Sequence, residues 1–290
     1  MTRMPLSAAS KDIVMIKDIL VSLSVDQSHD AAGDYAMSVA EAFGAHLSGI
    51  ALAYIPVLSV TMPIEALGTD LVAAEYAKNR KAATTAVSCF ENSLRAGGLR
   101  GEAHMFEAGV AEASNQFGLF ARRFDLSVVG QAKPSQPEGG MIIEGGLFGS
   151  GRPVIVVPYI QQKGLKLDRV VVCWDGSRAA ARATGDAMPF LTRAKKVDVV
   201  TIGAAPAKNE DVPGADIAQH LARHGRNVEV QRLVVADIDT ASAILSYAAD
   251  AGADLIVMGG YGHSRLREFV LGGVTRDILG SMTVPVLMSH

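Results

Sequence analysis

A glycine-rich segment near the end of the chain carries the residues best suited to chemistry. It follows the pattern Gly-x2-Gly-x9-Gly-Gly from Gly259 to Gly273, and it begins at the apolar run Asp254–Met258, which predicts a buried strand. Glycine lets the backbone approach a ligand closely and turn through positive φ. Free N–H groups at a helix start bind anions, above all phosphate. The segment therefore predicts a phosphate cradle between a strand and a short helix, Val274–Leu279.

Two common phosphate motifs are excluded. The segment has no Gly-Lys-Ser/Thr of a Walker A loop, and Gly-x-Gly-x-x-Gly is absent as well. The spacing instead resembles the phosphate loop of the universal stress protein family, Gly-x2-Gly-x9-Gly-Ser/Thr. Gly273 stands where the family pattern has Ser or Thr. This removes one hydroxyl donor but keeps the N–H, so we expect phosphate binding to be weakened by about 0.5–1.5 kcal/mol and not lost.

The resemblance covers most of the second half of the chain and, more weakly, the first half. It implies an α/β fold of two tandem open parallel five-stranded sheets with helices on both faces, Rossmann-like and similar to the adenine nucleotide alpha hydrolases. It also implies that the second half binds ATP, or ADP or AMP, together with Mg²⁺, whose ligands stay unknown. The expected nucleotide-binding residues are Asp175, Ile202, Met258, Gly259, Gly262, His263, Arg265, Gly272, Gly273, Val274 and Thr275.

Several of these residues have an alternative interpretation. Asp175, at the end of the predicted strand Arg169–Trp174, could accept hydrogen bonds from a ribose or help to hold a metal ion. It could instead belong only to the turn before the next helix. Ile202 and Met258 would flank an adenine ring, although apolar residues are expected at strand ends in any case. His263, Ser264, Arg265 and Arg276 could meet the outer phosphates or simply be solvated.

The chain repeats itself. Three strand-like segments of the first half recur in the same order in the second, which predicts two domains, residues 1–158 and 167–290, joined by a polar linker. Alternating strands and helices in each half predict a parallel sheet covered on both faces. Ser177 and Asp239 are predicted to cap helices. The first half carries about twenty extra residues, which predict a longer second helix, Leu71–Leu94.

The first half is predicted to have the fold without the nucleotide site. Ser24 replaces Asp175, and Lys133 replaces Gly262. Pro134 and Pro137 remove backbone donors, and the carboxylates of Glu138 and Glu144 would repel phosphate. We therefore expect one nucleotide per chain. The glycines of the first half at 145, 146, 149 and 151 are interpreted as a remnant of the second glycine cluster or as a flexible loop.

Composition excludes several classes of protein. The chain has 290 residues, 49% of them hydrophobic, and a net charge of −3, which does not suggest a nucleic-acid or membrane-surface binder. No apolar run approaches the roughly 18–20 residues of a membrane span, and residues 1–17 lack an apolar signal core, so we expect a cytoplasmic protein. Cys89 and Cys173 are expected to be buried free thiols. His220 and His224 have metal-ligand spacing without a third ligand, which favours a solvated helix face.

The resemblance implies a stress-response or regulatory role. No general base for ATP hydrolysis is evident, so the protein is expected to be no enzyme or at most a slow ATPase. The alternative is a scaffold that binds no nucleotide and acts through protein contacts. A nucleotide-dependent transferase would need a catalytic lysine or acid near the phosphates, and none is evident. The apolar final strands, Val154–Val157 and Val284–Ser289, could pair as an internal pseudo-dimer of the two domains, and a homodimer of the whole chain is also compatible.

Overall fold

A computed structural model describes residues 15–25, 29–56, 69–133, 138–203, 214–234, 239–260 and 273–290. The strands are β1 Asp18–Ser22, β2 His46–Tyr54, β3 Gly101–Ala108, β4 Leu126–Gly130, β5 Val154–Val157, β6 Arg169–Cys173, β7 Lys196–Ile202, β8 Val228–Leu233, β9 Leu255–Gly259 and β10 Val286–Ser289. The helices are α1 Ala31–Phe43, α2 Thr69–Ala96, α3 Val110–Ala121, α4 Glu138–Gly149, α5 Arg178–Asp186, α6 Met188–Leu191, α7 Ala215–Arg223, α8 Thr240–Ala251 and α9 Gly273–Ser281.

The strands form one sheet in the order β3-β2-β1-β4-β5-β10-β9-β6-β7-β8. Strands within each half are parallel, and the two halves have the same internal order. The halves meet where β5 and β10 pair antiparallel, with Ile155 opposite Leu287. The two five-stranded sheets expected from the sequence are therefore joined edge to edge. The pairing of the two final strands is present as predicted.

Helices cover both faces of this sheet. One apolar cluster packs α1, α2 and α5–α7 against one face, and a second packs α3, α4, α8 and α9 against the other. Alternate residues of a strand point to opposite faces, so Ile19 and Val21 belong to the first cluster and Leu20 to the second. Burial on both faces explains why the strands are almost continuously apolar, which is the pattern from which the parallel sheet was predicted.

The local signals for helices are confirmed. The Ser177 hydroxyl accepts a hydrogen bond from Ala180 N at 3.1 Å at the start of α5. The Asp239 carboxylate accepts one from Ser242 N at 2.9 Å at the start of α8. The long helix predicted for the extra residues is α2, with 28 residues. Within the described ranges, no helix combines the length and the apolar character needed to cross a bilayer.

Of the two interpretations of the first half's glycine cluster, the flexible loop is wrong for Gly145, Gly146 and Gly149, which are helical, whereas Gly151 follows the helix. Gly145 and Gly149 lie in α4, which packs closely against α3. A Cβ atom on Gly145 would lie 2.2 Å from the carbonyl oxygen of Ser114, and one on Gly118 would lie 2.5 Å from the carbonyl oxygen of Gly145. The absence of side chains lets the two helix backbones touch. These glycines therefore serve helix packing in the first half, whatever their origin.

Candidate functional site

Three strand ends of the second half form the candidate site. β6 lies between β9 and β7, so the chain leaves β6 towards one side and later returns on the other. Such a switch point opens a crevice at the carboxyl ends of the strands, where ligands of parallel sheets bind. Asp175 follows β6, Ile202 ends β7, and Met258 and Gly259 end β9. The fold thus brings these four predicted residues to one edge of the sheet.

Asp175 is exposed at this edge. Its Oδ1 accepts a hydrogen bond from Ser177 N at 2.8 Å and so closes the turn that leads into α5. The carboxylate makes no other hydrogen bond within the described residues. The turn role of Asp175 is therefore real, and it leaves the second carboxylate oxygen available to a ligand.

The apolar residues of the edge are part of the core. Met258 is 6% exposed, and its side chain belongs to the cluster beneath α8 and α9. Ile202 is half-buried and packs against the same cluster. Trp174 is also half-buried but packs against the cluster on the opposite face. Ile202 therefore exposes more of its surface at the crevice than Met258 does.

Gly259 has a structural role that the sequence did not reveal. A Cβ atom there would lie 2.6 Å from Ala180 N and 2.7 Å from the carbonyl carbon of Ala179. The end of β9 thus touches the backbone of the first turn of α5, and only glycine permits this approach. The sequence predicts that Gly259 lets the chain approach a ribose or phosphate, whereas the described contact is with the backbone of α5.

The helix start predicted to bind phosphate is the beginning of α9. Gly273 and Val274 are exposed there, whereas Thr275 is 4% exposed, so the Thr275 side chain is directed into the protein. Arg276 lies 3.8 Å from Asp277 in an exposed pair, which agrees with the solvated alternative. Gly262, His263, Ser264, Arg265 and Gly272 lie outside the described residues.

Cys173 lies beside this edge, at the end of β6. Burial, and secondly the charge of Asp175, raises the pKa of the Cys173 thiol to about 12. Cys89, in contrast, is exposed on α2. The expectation of two buried thiols is therefore wrong for Cys89, which is exposed on that helix, and holds only in part for Cys173, which is half-buried.

The two thiols should react very differently. At pH 8 we expect a thiol reagent to modify Cys89 rapidly and Cys173 much more slowly, because the thiolate is the reactive form and the raised pKa of Cys173 keeps its thiol protonated. Counting modified thiols against time, before and after adding denaturant, measures this. Cys89→Ser should abolish the rapid phase. Two rapidly reacting thiols in the native protein would contradict the raised pKa of Cys173.

The corresponding edge of the first half holds a cavity of about 320 Å³. Ser24 lies there where the second half has Asp175. Glu138, in the first turn of α4, also lines this cavity. Burial, and secondly the charge of Glu138, raises the pKa of Tyr54 to about 12. This edge therefore carries a carboxylate at a helix start, where the second half is predicted to receive phosphate.

A cluster of charged residues around the buried Asp198 was not among the predicted features. Asp198, 1% exposed in the middle of β7, accepts a hydrogen bond from the Tyr247 hydroxyl at 2.8 Å. Arg169 Nε lies 3.5 Å and Lys196 Nζ 3.8 Å from its carboxylate oxygens. An aspartate inside a mostly apolar strand was the available signal.

The rings of His220 and His224 lie 4.9 Å apart, and no group of three metal-ligating side chains occurs in the described part of the chain.

The fold defines an open, doubly wound α/β protein with a crevice at the switch point of its second half. Residues 166–290 match the family described as the universal stress protein family. This match contains the whole candidate site, so the second half of the chain is similar to that family over the region that would bind a ligand.

Two curated relatives resemble parts of the chain. The chain is 28% identical over 174 residues to Universal stress protein Slr1230 of Synechocystis, which covers 57% of each protein. It is 40% identical over 45 residues to Universal stress protein MJ0577 of Methanocaldococcus jannaschii, covering 16% of this chain and 28% of that one. The chain thus spans only part of both curated relatives.

Two solved structures resemble the chain over nearly its whole length. A universal stress protein from Archaeoglobus fulgidus is 16% identical, with coverage of 93% of this chain and 97% of that one and a TM-score of 0.68. Protein PA1789 of Pseudomonas aeruginosa, of unknown function, is 15% identical, with coverage of 94% and 92% and a TM-score of 0.54. At these identities the likeness shows the fold alone.

Proposed function

We propose that the second half binds ATP or a related adenine nucleotide, and that the chain is a stress-response regulatory protein of the cytoplasm. One observation carries the proposal. The glycine pattern starts at the end of β9, beside Asp175 at the switch point, and ends at the start of α9. Strand end, carboxylate and helix start are the three parts that a nucleotide's base, ribose and phosphates require.

Each part has a role in this proposal. Ile202 and Met258 provide apolar surface for the adenine ring, and the second oxygen of Asp175 accepts a ribose hydroxyl. The N–H groups of Gly273, Val274 and Thr275 donate to phosphate oxygens. Gly262, His263, Arg265 and Gly272 are assigned from the sequence pattern alone.

Mg²⁺ fits this site only as a companion of the nucleotide. No group of three potential protein ligands occurs in the described part of the chain. Mg²⁺ commonly binds substrate phosphates with one or two carboxylates and several waters. Asp175 would take part only in place of its contact with the ribose, because one of its oxygens is already bonded to Ser177 N. The phosphates would supply the remaining non-water ligands. Mg²⁺ would neutralise phosphate charge there.

The first half is proposed to lack nucleotide. Glu138 already places a carboxylate at the start of α4, where an anion is favoured by the helix dipole. A phosphate would have to approach that charge.

The proposal also includes the domain boundaries at residues 158 and 167, the internal pseudo-dimer formed through β5 and β10, and further homodimerisation of the chain. At most slow ATP hydrolysis is expected.

Calorimetric titration with Mg²⁺-ATP tests the proposal. The wild type should bind one nucleotide per chain, and ATP at 100 times its Kd should stabilise the protein by about 2.7 kcal/mol. Asp175→Ala should weaken binding, and Gly262→Val should abolish it because a branched side chain would block the loop's approach to phosphate. Ser24→Ala alters the matching position of the first half, so it should bind like the wild type.

The outcomes separate the alternatives. If millimolar ATP leaves the thermal stability of the wild type unchanged, the nucleotide proposal fails and a scaffold acting through protein contacts is favoured. Two nucleotides per chain would contradict the assignment of the first half. Turnover of several ATP per second would make the protein an enzyme.

A further inference from the structure

The segment that begins at Gly260, runs through the connection and ends with α9 contacts the first half of the chain at both of its ends. Gly260, the last described residue before the connection, packs against Leu147 of α4. The final turn of α9, the helix that follows it, is hydrogen-bonded to Gln131, which follows β4. The first half therefore holds the two anchors of the segment on which the proposed phosphate site depends.

Gln131 is placed for this task. Its side chain is 7% exposed, and Nε2 donates to the carbonyl oxygen of Leu279 at 2.8 Å and of Gly280 at 3.3 Å. Oε1 accepts from Tyr159 N at 3.3 Å, and the main-chain N donates to Val157 O at 2.8 Å. The last carbonyls of a helix lack partners within the helix and form its negative end, so an amide donor stabilises them.

The other anchor is held by packing. A Cβ atom on Gly260 would lie 2.8 Å from Cδ2 of Leu147, which is 2% exposed. Gly260 N donates to Ser289 O at 2.8 Å, and His290 Nδ1 lies 3.0 Å from Gly260 O. The His290 ring packs edge-on against Phe148 of α4, with ring centroids 5.0 Å apart. The start of the connection is thus wedged between α4 and the end of β10.

The two contacts are related but unequal. Gln131 follows β4 as Gly260 follows β9, and their main-chain N atoms make the same 2.8 Å bond to the neighbouring final strand. Glutamine at the first position reaches across to α9. Glycine at the second has no side chain with which to reach α4. Of these two positions, therefore, only that of Gln131 carries a side-chain hydrogen bond to the helix of the other half.

We propose that Gln131 is a positioning residue of the nucleotide site, through which the first half sets the orientation of α9. This inference rests on the proposed function. α9 has only nine residues, so a shift of its last turn also moves the N–H groups of its first turn. With Gln131 in place, those groups are held ready for phosphate. Without Gln131, part of the free energy of nucleotide binding is needed to hold α9 in this orientation, so the affinity falls.

Gln131→Met tests the inference, because it removes the donor and keeps the side-chain length. The Kd for Mg²⁺-ATP should rise about five- to tenfold, and hydrogen exchange in α9 should accelerate without nucleotide. Gln161→Met is the matched control. Gln161 Nε2 also donates to a main-chain carbonyl, that of Lys163 at 2.7 Å, but in the exposed segment between β5 and β6. Its Kd and α9 exchange should equal those of the wild type.

Gln131→Glu separates positioning from general stability. A carboxylate facing the α9 carbonyls should unseat the helix, whereas a protonated carboxyl can donate as the amide does. Because only the protonated carboxyl can donate to the α9 carbonyls, this contact raises the pKa of the introduced carboxyl. The hold on α9 is therefore complete below the ordinary glutamate pKa and is lost as the pH rises through the raised pKa. The Kd ratio of Gln131→Glu to wild type should therefore be large at pH 8 and fall towards one near pH 5.

The remaining outcomes are distinct. Wild-type Kd and wild-type α9 exchange in Gln131→Met would overturn the inference. If the wild type binds no ATP but α9 exchange still accelerates in Gln131→Met, the proposed function fails while the hold of Gln131 on α9 is supported.

Discussion

Replacing Gly145 with alanine is expected to destabilise the protein by about 3 kcal/mol. The added Cβ would lie 2.2 Å from the carbonyl oxygen and 2.9 Å from the carbonyl carbon of Ser114. Both are backbone atoms of α3 and cannot rotate away, so α3 and α4 must separate. Separation would also lengthen the 2.6 Å hydrogen bond from the Ser114 hydroxyl to Met141 O. Urea denaturation followed by circular dichroism measures the loss.

Gly140→Ala is the matched control for this substitution. Gly140 lies in the same helix, and the nearest atom to its added Cβ would be Cβ of Ala132 at 4.0 Å. Alanine favours helix over glycine by about 0.5–1 kcal/mol, so this variant should be slightly more stable than the wild type. If both variants lose similar stability, the clash with Ser114 is not the cause.

Asp198→Ala is the second substitution with a large expected effect, a loss of about 3 kcal/mol. Asp198 is the buried acceptor for Tyr247 and the anionic partner of Arg169 and Lys196. Alanine would leave the Tyr247 hydroxyl without its acceptor and the partly buried Arg169 without the carboxylate it faces, whereas Lys196 keeps its 2.7 Å pair with Glu229. Burial, and secondly the hydrogen bond to Asp198, raises the pKa of Tyr247. Chemical denaturation at pH 7 gives the change in unfolding free energy.

Two variants test this explanation. Asp198→Asn keeps an acceptor for Tyr247 but removes the charge, so its loss should lie between wild type and Asp198→Ala. Asp168→Ala breaks an exposed pair with Lys195, whose atoms are 2.6 Å apart, and should leave stability unchanged because water screens that pair. An equal loss in Asp168→Ala would contradict the emphasis on burial.

Local elements could be predicted from the sequence because their signals are local. Ser177 and Asp239 cap the predicted helices because a short polar side chain reaches N–H groups three residues ahead. The apolar strands indicated a sheet buried on both faces. The predictions failed for residues whose role depends on partners that are distant in the sequence. Gly145 looked like part of a loop, since nothing near it in sequence shows that Ser114 lies against it.

The residues of the candidate site likewise include some with a local sequence signal and others whose contacts are distant along the chain. Asp175 and Gly259 could be placed at one edge of the sheet because residue type and strand ends suffice for that, whereas Gly262 and Gly272 stay predictions. The contact of Gly259 with the backbone of α5 had no signal, because it requires the crossing of two elements. Gln131 was not predicted either, since its partners on α9 are 148 residues away along the chain. Asp198 alone had a visible mark, a charge within an apolar strand.

The antiparallel pairing of β5 with β10 has a consequence for behaviour on dilution. Both strands belong to one chain, so their encounter depends on the effective concentration set by the tether and not on how much protein is present. Two separate domains joined along such an edge would dissociate when dilute and expose unpaired strand edges prone to aggregation. In this chain the hold of Gln131 on α9 should therefore be as complete at nanomolar as at millimolar protein.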